Sequence, residues 1–226
     1  MNNVEDLIKK SLLELRNISC ENEIKSHESK LIFPKYRDNS IRISEQEARL
    51  LLVREIENQN EFYYSIETPT IEKYSGFSTD KPKIDSNGRS ASVDLALYKK
   101  YEKEFKRTHL IEFKFGNVNT CTKYFLKLLC DDENCGINYY INIIKNSDNT
   151  TEVRLENTIE NLEGKYQDAL DYFSRNENKI KFKIKSKLKI FVCILNNTLI
   201  YENNIIEYQI IDKENLSIEA ITERIK

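Results

Sequence analysis

The sequence predicts an α/β (α+β) fold with a mixed central sheet flanked by helices, and three observations support this prediction. Apolar residues recur at helical spacing near the N-terminus and again after Ser44. Segments between Phe62 and Phe115 alternate between apolar and polar residues, as half-buried strands do. From Ser44 to Ile144 the predicted order of elements is helix, three strands, helix, strand.

Two helices are predicted before the first strand. The first spans Val4 to Ile18, and residues 19–40 after it are polar and irregular. The second starts at Ser44 and runs through Ile56. Ser44 stands three residues before Glu47, which is the spacing of a capping box at the start of a helix.

Turn residues set the expected limits of the strands. Pro69 has no backbone N–H to donate, so we expect it to end the first strand, and Gly116 is expected to end the third. The predicted elements are the strands Phe62 to Thr68, Ser92 to Tyr98 and Leu110 to Phe115, then the helix Cys121 to Leu129 and the strand Ile137 to Ile144.

The C-terminal third is expected to contain a long helix from Glu152 to Arg175, a buried strand from Phe191 to Leu195 and a hairpin within Leu199 to Ile211. Lysine occupies every odd position from Lys179 to Lys189, so a strand there would have one basic face. Two interpretations stay open. One is an edge strand that its lysines protect against unwanted pairing. The other is a ribbon that contacts nucleic-acid phosphates through Lys181, Lys183, Lys185 and Lys187.

Length and composition favour one domain over residues 1–226, because a chain of 226 residues can bury a substantial core. We expect a helix and an irregular lead-in over 1–43, a core over 44–145, and a helix and strands that complete the fold over 146–226. Acidic and basic residues nearly balance, 37 against 35. A surface that binds phosphate must therefore be a local patch.

Several classes of protein are disfavoured. Five irregularly spaced cysteines favour reduced thiols over a disulfide framework or a zinc site. His109 shares a strand face with Ile111, which favours a buried structural histidine. The N-terminus lacks the pattern of a signal peptide, and no window is apolar for long enough to span a bilayer. We therefore expect a soluble, cytoplasmic protein without a membrane partner.

The tripeptide Glu112-Phe113-Lys114 is the most informative motif. In a strand, Glu112 and Lys114 project to one face and Phe113 projects to the other, into a core. This pair lies in a run apolar enough for an interior strand, where two ionisable groups are costly without partners or a metal ion. The alternative is an amphipathic strand with one wet face, or an exposed pair. The same spacing recurs in polar surroundings at Glu23/Lys25, Glu28/Lys30, Glu104/Lys106, Glu163/Lys165 and Glu177/Lys179.

Asp94, in the preceding predicted strand, supplies a second carboxylate. If the two strands pair, Asp94 and Glu112 can converge on one cation. Mg²⁺ prefers oxygen ligands and keeps several waters, so one or two carboxylates plus substrate phosphate oxygens are sufficient. Such an ion polarises a phosphodiester and lowers the pKa of a bound water. The pattern therefore indicates a metal-dependent nuclease site.

This order of elements, with an acid on the second strand and acid-x-lysine on the third, resembles the PD-(D/E)xK nuclease superfamily, whose restriction-endonuclease-like core is αβββαβ. The resemblance covers residues 44–145, under half of the chain. It implies that Asp94, Glu112 and the backbone carbonyl of Phe113 bind Mg²⁺, for which Mn²⁺ can substitute. It also implies that Lys114 orients or activates the attacking water.

The resemblance also concerns other positions. Many members carry a glutamate on the first helix, so Glu47 is open to two interpretations, a metal-site residue or only a helix cap. Glu55 and Glu67 are weaker substitutes for it. Segments around Glu47, Glu67 and Asp94 are similar to stand-alone members linked to bacterial restriction and phage defence. Val93 stands where the literal motif has proline, a position that varies in the family.

The motif and the resemblance together predict a Mg²⁺-dependent endonuclease that hydrolyses the phosphodiester bonds of DNA. The resemblance implies a role in restriction or phage defence, as a homodimer or with a defence partner protein. Two alternatives stay open. One is a nuclease-like subunit of low activity that binds or regulates a partner. The other is an RNA-directed nuclease, because the metal chemistry is the same.

Overall fold

The computed structural model describes residues 3–21, 30–77, 82–116, 121–132, 134–145, 152–180, 184–195, 205–210 and 218–221. These ranges form an α+β fold of helices and strands in one mixed sheet. No helix among them is long and apolar enough to cross a membrane. The helices are α1 (Val4–Glu21), α2 (Glu45–Gln59), α3 (Cys121–Cys130) and α4 (Glu152–Ile180). The strands are β1 (Tyr63–Ser75), β2 (Lys83–Ile84), β3 (Arg89–Tyr101), β4 (Glu104–Phe115), β5 (Ile137–Ile144), β6 (Lys187–Ile194), β7 (Ile205–Ile210) and β8 (Ile218–Ile221).

The sheet has the strand order β2-β1-β3-β4-β5-β6-β7-β8. Neighbours from β2 to β4 and from β6 to β8 are antiparallel, whereas β4, β5 and β6 are parallel. Helices α1 and α2 pack on one face with Leu95 and Ile111, and α3 and α4 pack on the other face with Ala96 and Leu110. Successive residues of β3 and β4 therefore meet different helix pairs.

Several predicted elements match the observed ones closely. Ser44 caps α2 through a complete capping box, and β5 has the predicted bounds. Gly116 follows β4 with a φ of 94°, which glycine adopts at little cost. His109 is a structural residue: its Nδ1 lies 2.7 Å from the carbonyl oxygen of Ile137, and burial lowers its pKa. The cysteines whose side chains the structure describes are buried and form no disulfide among the described residues.

The predicted end of the first strand at Pro69 is wrong, because β1 continues to Ser75. On one side β2 pairs only with Tyr74 and Ser75, so no ladder there requires an N–H from Pro69. On the other side the register with β3 shifts between Pro69 and Lys73. Proline is tolerated in a strand where the edge is open or the ladder is irregular.

The predicted basic strand from Lys179 to Lys189 is also wrong. Helix α4 extends to Ile180, and β6 begins at Lys187. Lys181 and Lys183 lie outside the described residues. Strand β6 lies between β5 and β7, so it is not a protected edge either. A two-residue period constrains only a segment that pairs with a neighbour, and a lysine-rich segment next to a helix end can show the same pattern.

The hairpin predicted within Leu199 to Ile211 is described only in part. Its strand β7 pairs with β6 and with β8, antiparallel to both. Residues 196–204 and 211–217 lie outside the described residues.

Candidate functional site

Asp94 and Glu112 lie opposite each other on β3 and β4. Leu95 pairs with Ile111, so the next residues along the antiparallel pair are Asp94 and Glu112. Asp94 Oδ2 accepts a hydrogen bond of 2.7 Å from the backbone N–H of Phe113. The carboxylate of Asp94 thus bonds to the backbone of β4 directly beside Glu112. The structure therefore brings together the two carboxylates that the sequence singled out.

Among the described residues, Lys127 of α3 supplies the cation that contacts Glu112 of this pair. Its Nζ contacts Glu112 Oε1 and donates a 2.6 Å hydrogen bond to the carbonyl oxygen of Ser92. Only 5% of Lys127 and 2% of Glu112 are exposed. Lys127 was not predicted from the sequence, although a signal was present: a single lysine interrupts the apolar run Phe125 to Leu129, every residue of which is buried.

The two carboxyl groups are destabilised as anions. Burial raises the pKa of Glu112 to about 8; the charge of Asp94 adds to this increase, and Lys127 opposes it. Burial also raises the pKa of Asp94, which the N–H of Phe113 opposes. Neighbouring carboxylates in a buried place favour an added positive charge. The pair is thus suited to bind a cation when both groups are ionised.

Lys114, the lysine of the sequence motif, has other partners. Its Nζ lies 3.4 Å from Glu45 Oε1, and the same oxygen accepts a 2.8 Å hydrogen bond from the backbone N–H of Phe115. Partial burial lowers the pKa of Lys114, but Tyr124 and Glu45 raise it by more. Among the hydrogen bonds and ion pairs of the described residues, none joins Lys114 to Asp94 or Glu112. Glu45, at the start of α2, was not predicted.

Glu47 completes the capping box of α2, in which Ser44 is the N-cap residue. Its Oε2 accepts a 2.8 Å hydrogen bond from the backbone N–H of Ser44 and contacts Ser44 Oγ, while Oε1 lies 3.8 Å from Arg42 Nη1. These contacts fulfil the capping interpretation. Glu55 also has a structural role: it is buried at the contact between α1 and α2, where it pairs with Lys10 and Arg54.

Glu67 of β1 lies closer to the acid pair. Its Oε1 is 2.7 Å from Arg49 Nη1, and its Oε2 accepts a 3.1 Å hydrogen bond from Ser92 Oγ. Its charge raises the pKa of Asp94 and of Glu112. Glu67 also has a φ of 51°, which is uncommon for a residue with a side chain and is often associated with functional sites. Glu67 is therefore a better third acid than Glu47.

The donor set fits a hard divalent ion that completes its coordination with water and substrate. Within the described ranges, no group of three His, Cys, Asp or Glu side chains forms a ready metal site. Asp94 and Glu112 provide two carboxylates, and Mg²⁺ is commonly bound through one or two carboxylates plus substrate phosphates. The contribution of the Phe113 carbonyl stays a prediction.

Of the expected lysine ribbon, the structure describes Lys185 and Lys187. Lys185 Nζ is 2.6 Å from Glu72 Oε1 in an ion pair. Lys187 is exposed, and two residues later Lys189 pairs with Glu5 of α1 at 2.7 Å. Alternation along β6 therefore directs Lys187 toward the α1 face, whereas Glu112 faces α3. The two described lysines of the predicted ribbon are thus not positioned to follow a strand bound at this site.

Comparison with known proteins adds no assignment. No protein-family model matches this chain, and no curated protein matches it. The geometry of the site is therefore the basis for a functional proposal.

The two interpretations of Glu47 predict different results for Glu47→Gln. Glutamine can complete a capping box, so we expect unchanged stability and unchanged activity if Glu47 is only a cap. Ser44→Ala removes the cap itself and is expected to lower the free energy of unfolding by about 1 kcal/mol. Urea denaturation and metal-dependent cleavage measure the two effects. A large loss of activity in a stable Glu47→Gln protein would restore the metal-site role.

Proposed function

We propose that this chain is a Mg²⁺-dependent endonuclease that hydrolyses phosphodiester bonds of DNA. The observation that carries the proposal is the opposition of Asp94 and Glu112 on β3 and β4, with the buried Lys127 against them. The order α2, β1, β3, β4, α3, β5 also agrees with an αβββαβ core of the restriction-endonuclease-like kind, with β2 as a two-residue addition. A role in restriction or phage defence, as a homodimer or with a partner protein, rests on the resemblance and belongs to the same proposal.

In this proposal, each residue has a role that its chemistry or the resemblance suggests. Asp94 and Glu112 would hold the ion, with the Phe113 carbonyl as a further ligand. A bound Mg²⁺ polarises the phosphodiester and lowers the pKa of a bound water. Lys127, fixed between Glu112 and the Ser92 carbonyl, would offset negative charge on the phosphoryl oxygens. Lys114, held by Glu45, would orient the attacking water or the substrate at the edge of the site.

The test is cleavage of supercoiled plasmid with Mg²⁺ or Mn²⁺, compared with a chelator. The wild type is expected to cut only with metal, and Lys127→Met should lose more activity than Lys114→Met because Lys127 contacts the acid pair. Lys106→Met is the matched control, since Glu104 and Lys106 have the same spacing on exposed positions of the same strand. Metal-independent cutting, or equal activity of all four proteins, would contradict the assignment.

A second function is favoured by one observation. Lys127 already places a positive charge against Glu112. A buried carboxylate needs such a partner to be stable. In a binding subunit of low activity, Lys127 would fill this need without a metal ion. Calorimetric titration with Mn²⁺ separates the two functions. Binding that is lost in Asp94→Asn supports the enzyme. No binding, no cleavage and a co-purifying partner protein support the subunit.

The raised pKa of Glu112 predicts that metal binding releases a proton. With a pKa of about 8, the carboxyl group is mainly protonated at neutral pH, but it must be ionised to hold a cation. The affinity for Mn²⁺ should therefore rise about tenfold for each pH unit up to about pH 8 and then level off. Calorimetry in buffers of different ionisation enthalpy measures the released proton. A pH-independent affinity would show that Glu112 is not a ligand.

A further inference from the structure

A cleft of about 680 Å³ opens beside the acid pair, between the ends of β1 and β3 and helix α3. Its β-strand wall contains Ser90, Ala91 and Ser92, and its helical wall contains Lys123, Tyr124 and Lys127. Two hydrogen bonds of Ser92 connect the cleft to the proposed catalytic centre. The carbonyl oxygen of Ser92 accepts a hydrogen bond from Lys127, and Ser92 Oγ donates to Glu67.

The charge of the cleft is opposite to the average of the chain. Among the described residues, the lining includes Arg89, Lys123 and Lys127 and no acidic residue, although acids outnumber bases in the whole sequence, 37 to 35. Among the described ion pairs, none involves Arg89 or Lys123. A concave surface lined by positively charged side chains raises the local concentration of anions. This is a local basic patch of the kind that a nearly neutral chain would need in order to bind phosphate.

Aromatic residues line the same cleft. Phe77 packs edge-on against Tyr74, with ring centroids 5.0 Å apart. Tyr124 lies beneath two lysine side chains, with Lys123 Nζ and Lys127 Nζ each 5.2 Å from the centroid of its ring. Phe77 and Tyr124 are both partly exposed. Proteins hold single-stranded nucleic acid in basic grooves with accessible aromatic rings. The phosphates contact the positively charged side chains, and the nucleobases stack on the rings.

The size of the cleft limits what it can accept. A volume of about 680 Å³ lies in the range of pockets that enclose a small ligand. A double helix, whose major groove alone is about 12 Å wide, is too large to enter. An unpaired nucleotide has both groups that the lining matches, a phosphate and an aromatic base.

We propose that this cleft binds an unpaired segment of a DNA strand next to the scissile phosphodiester, so that the substrate class is single-stranded or locally unpaired DNA. Arg89 and Lys123 contact the phosphates, and Tyr124 stacks on a base. That the bound strand is the substrate rests on the proposed nuclease function. Binding itself requires neither metal nor cleavage.

The test is fluorescence anisotropy with a short labelled single-stranded DNA and with the duplex of the same sequence, in chelator so that no cleavage occurs. The single strand is expected to bind at least roughly tenfold tighter than the duplex. The double variant Arg89→Gln/Lys123→Gln should weaken this binding by roughly tenfold and lower the slope of log affinity against log salt by about 0.7 for each lost contact. Lys100→Gln/Lys103→Gln, at exposed positions near the other end of β3, makes the same charge change and should have no comparable effect.

Tyr124 provides a test of stacking that is separate from charge. Tyr124→Leu is expected to weaken single-strand binding roughly 5- to 150-fold, whereas Tyr124→Phe, which keeps the ring, should retain it. Tighter binding of the duplex, or equal loss in the cleft and control double variants, would overturn the proposal even if the protein cuts plasmid. Selective single-strand binding without metal-dependent cleavage would keep the cleft and reject the nuclease.

Discussion

Replacing Asp94 by asparagine is expected to abolish metal-dependent cleavage, with a loss of about a hundred- to a thousandfold or more, the scale of a lost electrostatic contact in a transition state. The asparagine side-chain oxygen can still accept the hydrogen bond from the N–H of Phe113, so the join between β3 and β4 should remain. What disappears is one of the two charges that hold the ion.

The same substitution should not destabilise the protein. Asp94 raises the pKa of Glu112, so the neutral variant removes a repulsion between buried carboxylates, and the pKa of Glu112 should fall. We therefore expect a melting temperature that is unchanged or higher. The matched control is Glu104→Gln, an exposed acid on β4 whose loss should change neither property. An active Asp94→Asn enzyme would disprove the metal site.

Replacing Arg107 by methionine is expected to have the largest effect on stability, a loss of about 3–5 kcal/mol. The guanidinium group lies against two buried carboxylates, with Nη2 3.0 Å from Asp131 Oδ2 and Nε 2.8 Å from Asp132 Oδ2. Asp131 Oδ1 also accepts a 2.8 Å hydrogen bond from the backbone N–H of Glu72. Removing Arg107 leaves these charges buried without their cation, and this cluster links the irregular part of β1 to the end of α3.

Two further variants separate the loss of pairing from the loss of packing. Lys106→Met, the exposed neighbour on β4, should change the free energy of unfolding by less than about 0.5 kcal/mol. The triple variant Arg107→Met/Asp131→Asn/Asp132→Asn should recover part of the stability, because no charge is left unpaired. Urea denaturation measures all three. A small loss in Arg107→Met, or no recovery in the triple variant, would show that the ion pairs are not the cause.

Periodicity and turn chemistry predicted much of the fold because they act over a few residues. The capping box at Ser44 and Glu47, the strand Ile137–Ile144 and the glycine after β4 are local features, and the structure contains each. Local rules failed where a neighbour decided the outcome. Pro69 remains in β1 because no strand pairs with its open side, which the sequence around Pro69 cannot reveal.

In the candidate site, too, local rules predicted some features and contacts between distant segments decided others. The alternation of side chains on a strand placed Glu112 and Lys114 on one face, and the apolar run around them marked the strand as interior. The partner of each group depends on contacts between segments distant in sequence. Lys114 pairs with Glu45 of α2, and Glu112 pairs with Lys127 of α3.

The sequence by itself determined the kinds of element, their order and the two carboxylates, since hydrophobic period and residue chemistry are properties of short segments. Only the tertiary structure decided that Lys127 is the cation at the acid pair, that Glu47 is a cap, and that the basic cleft lies beside Ser92. These outcomes depend on strand register and on how helices pack across the sheet. Those arrangements arise from burial summed over the whole core, so no short segment specifies them.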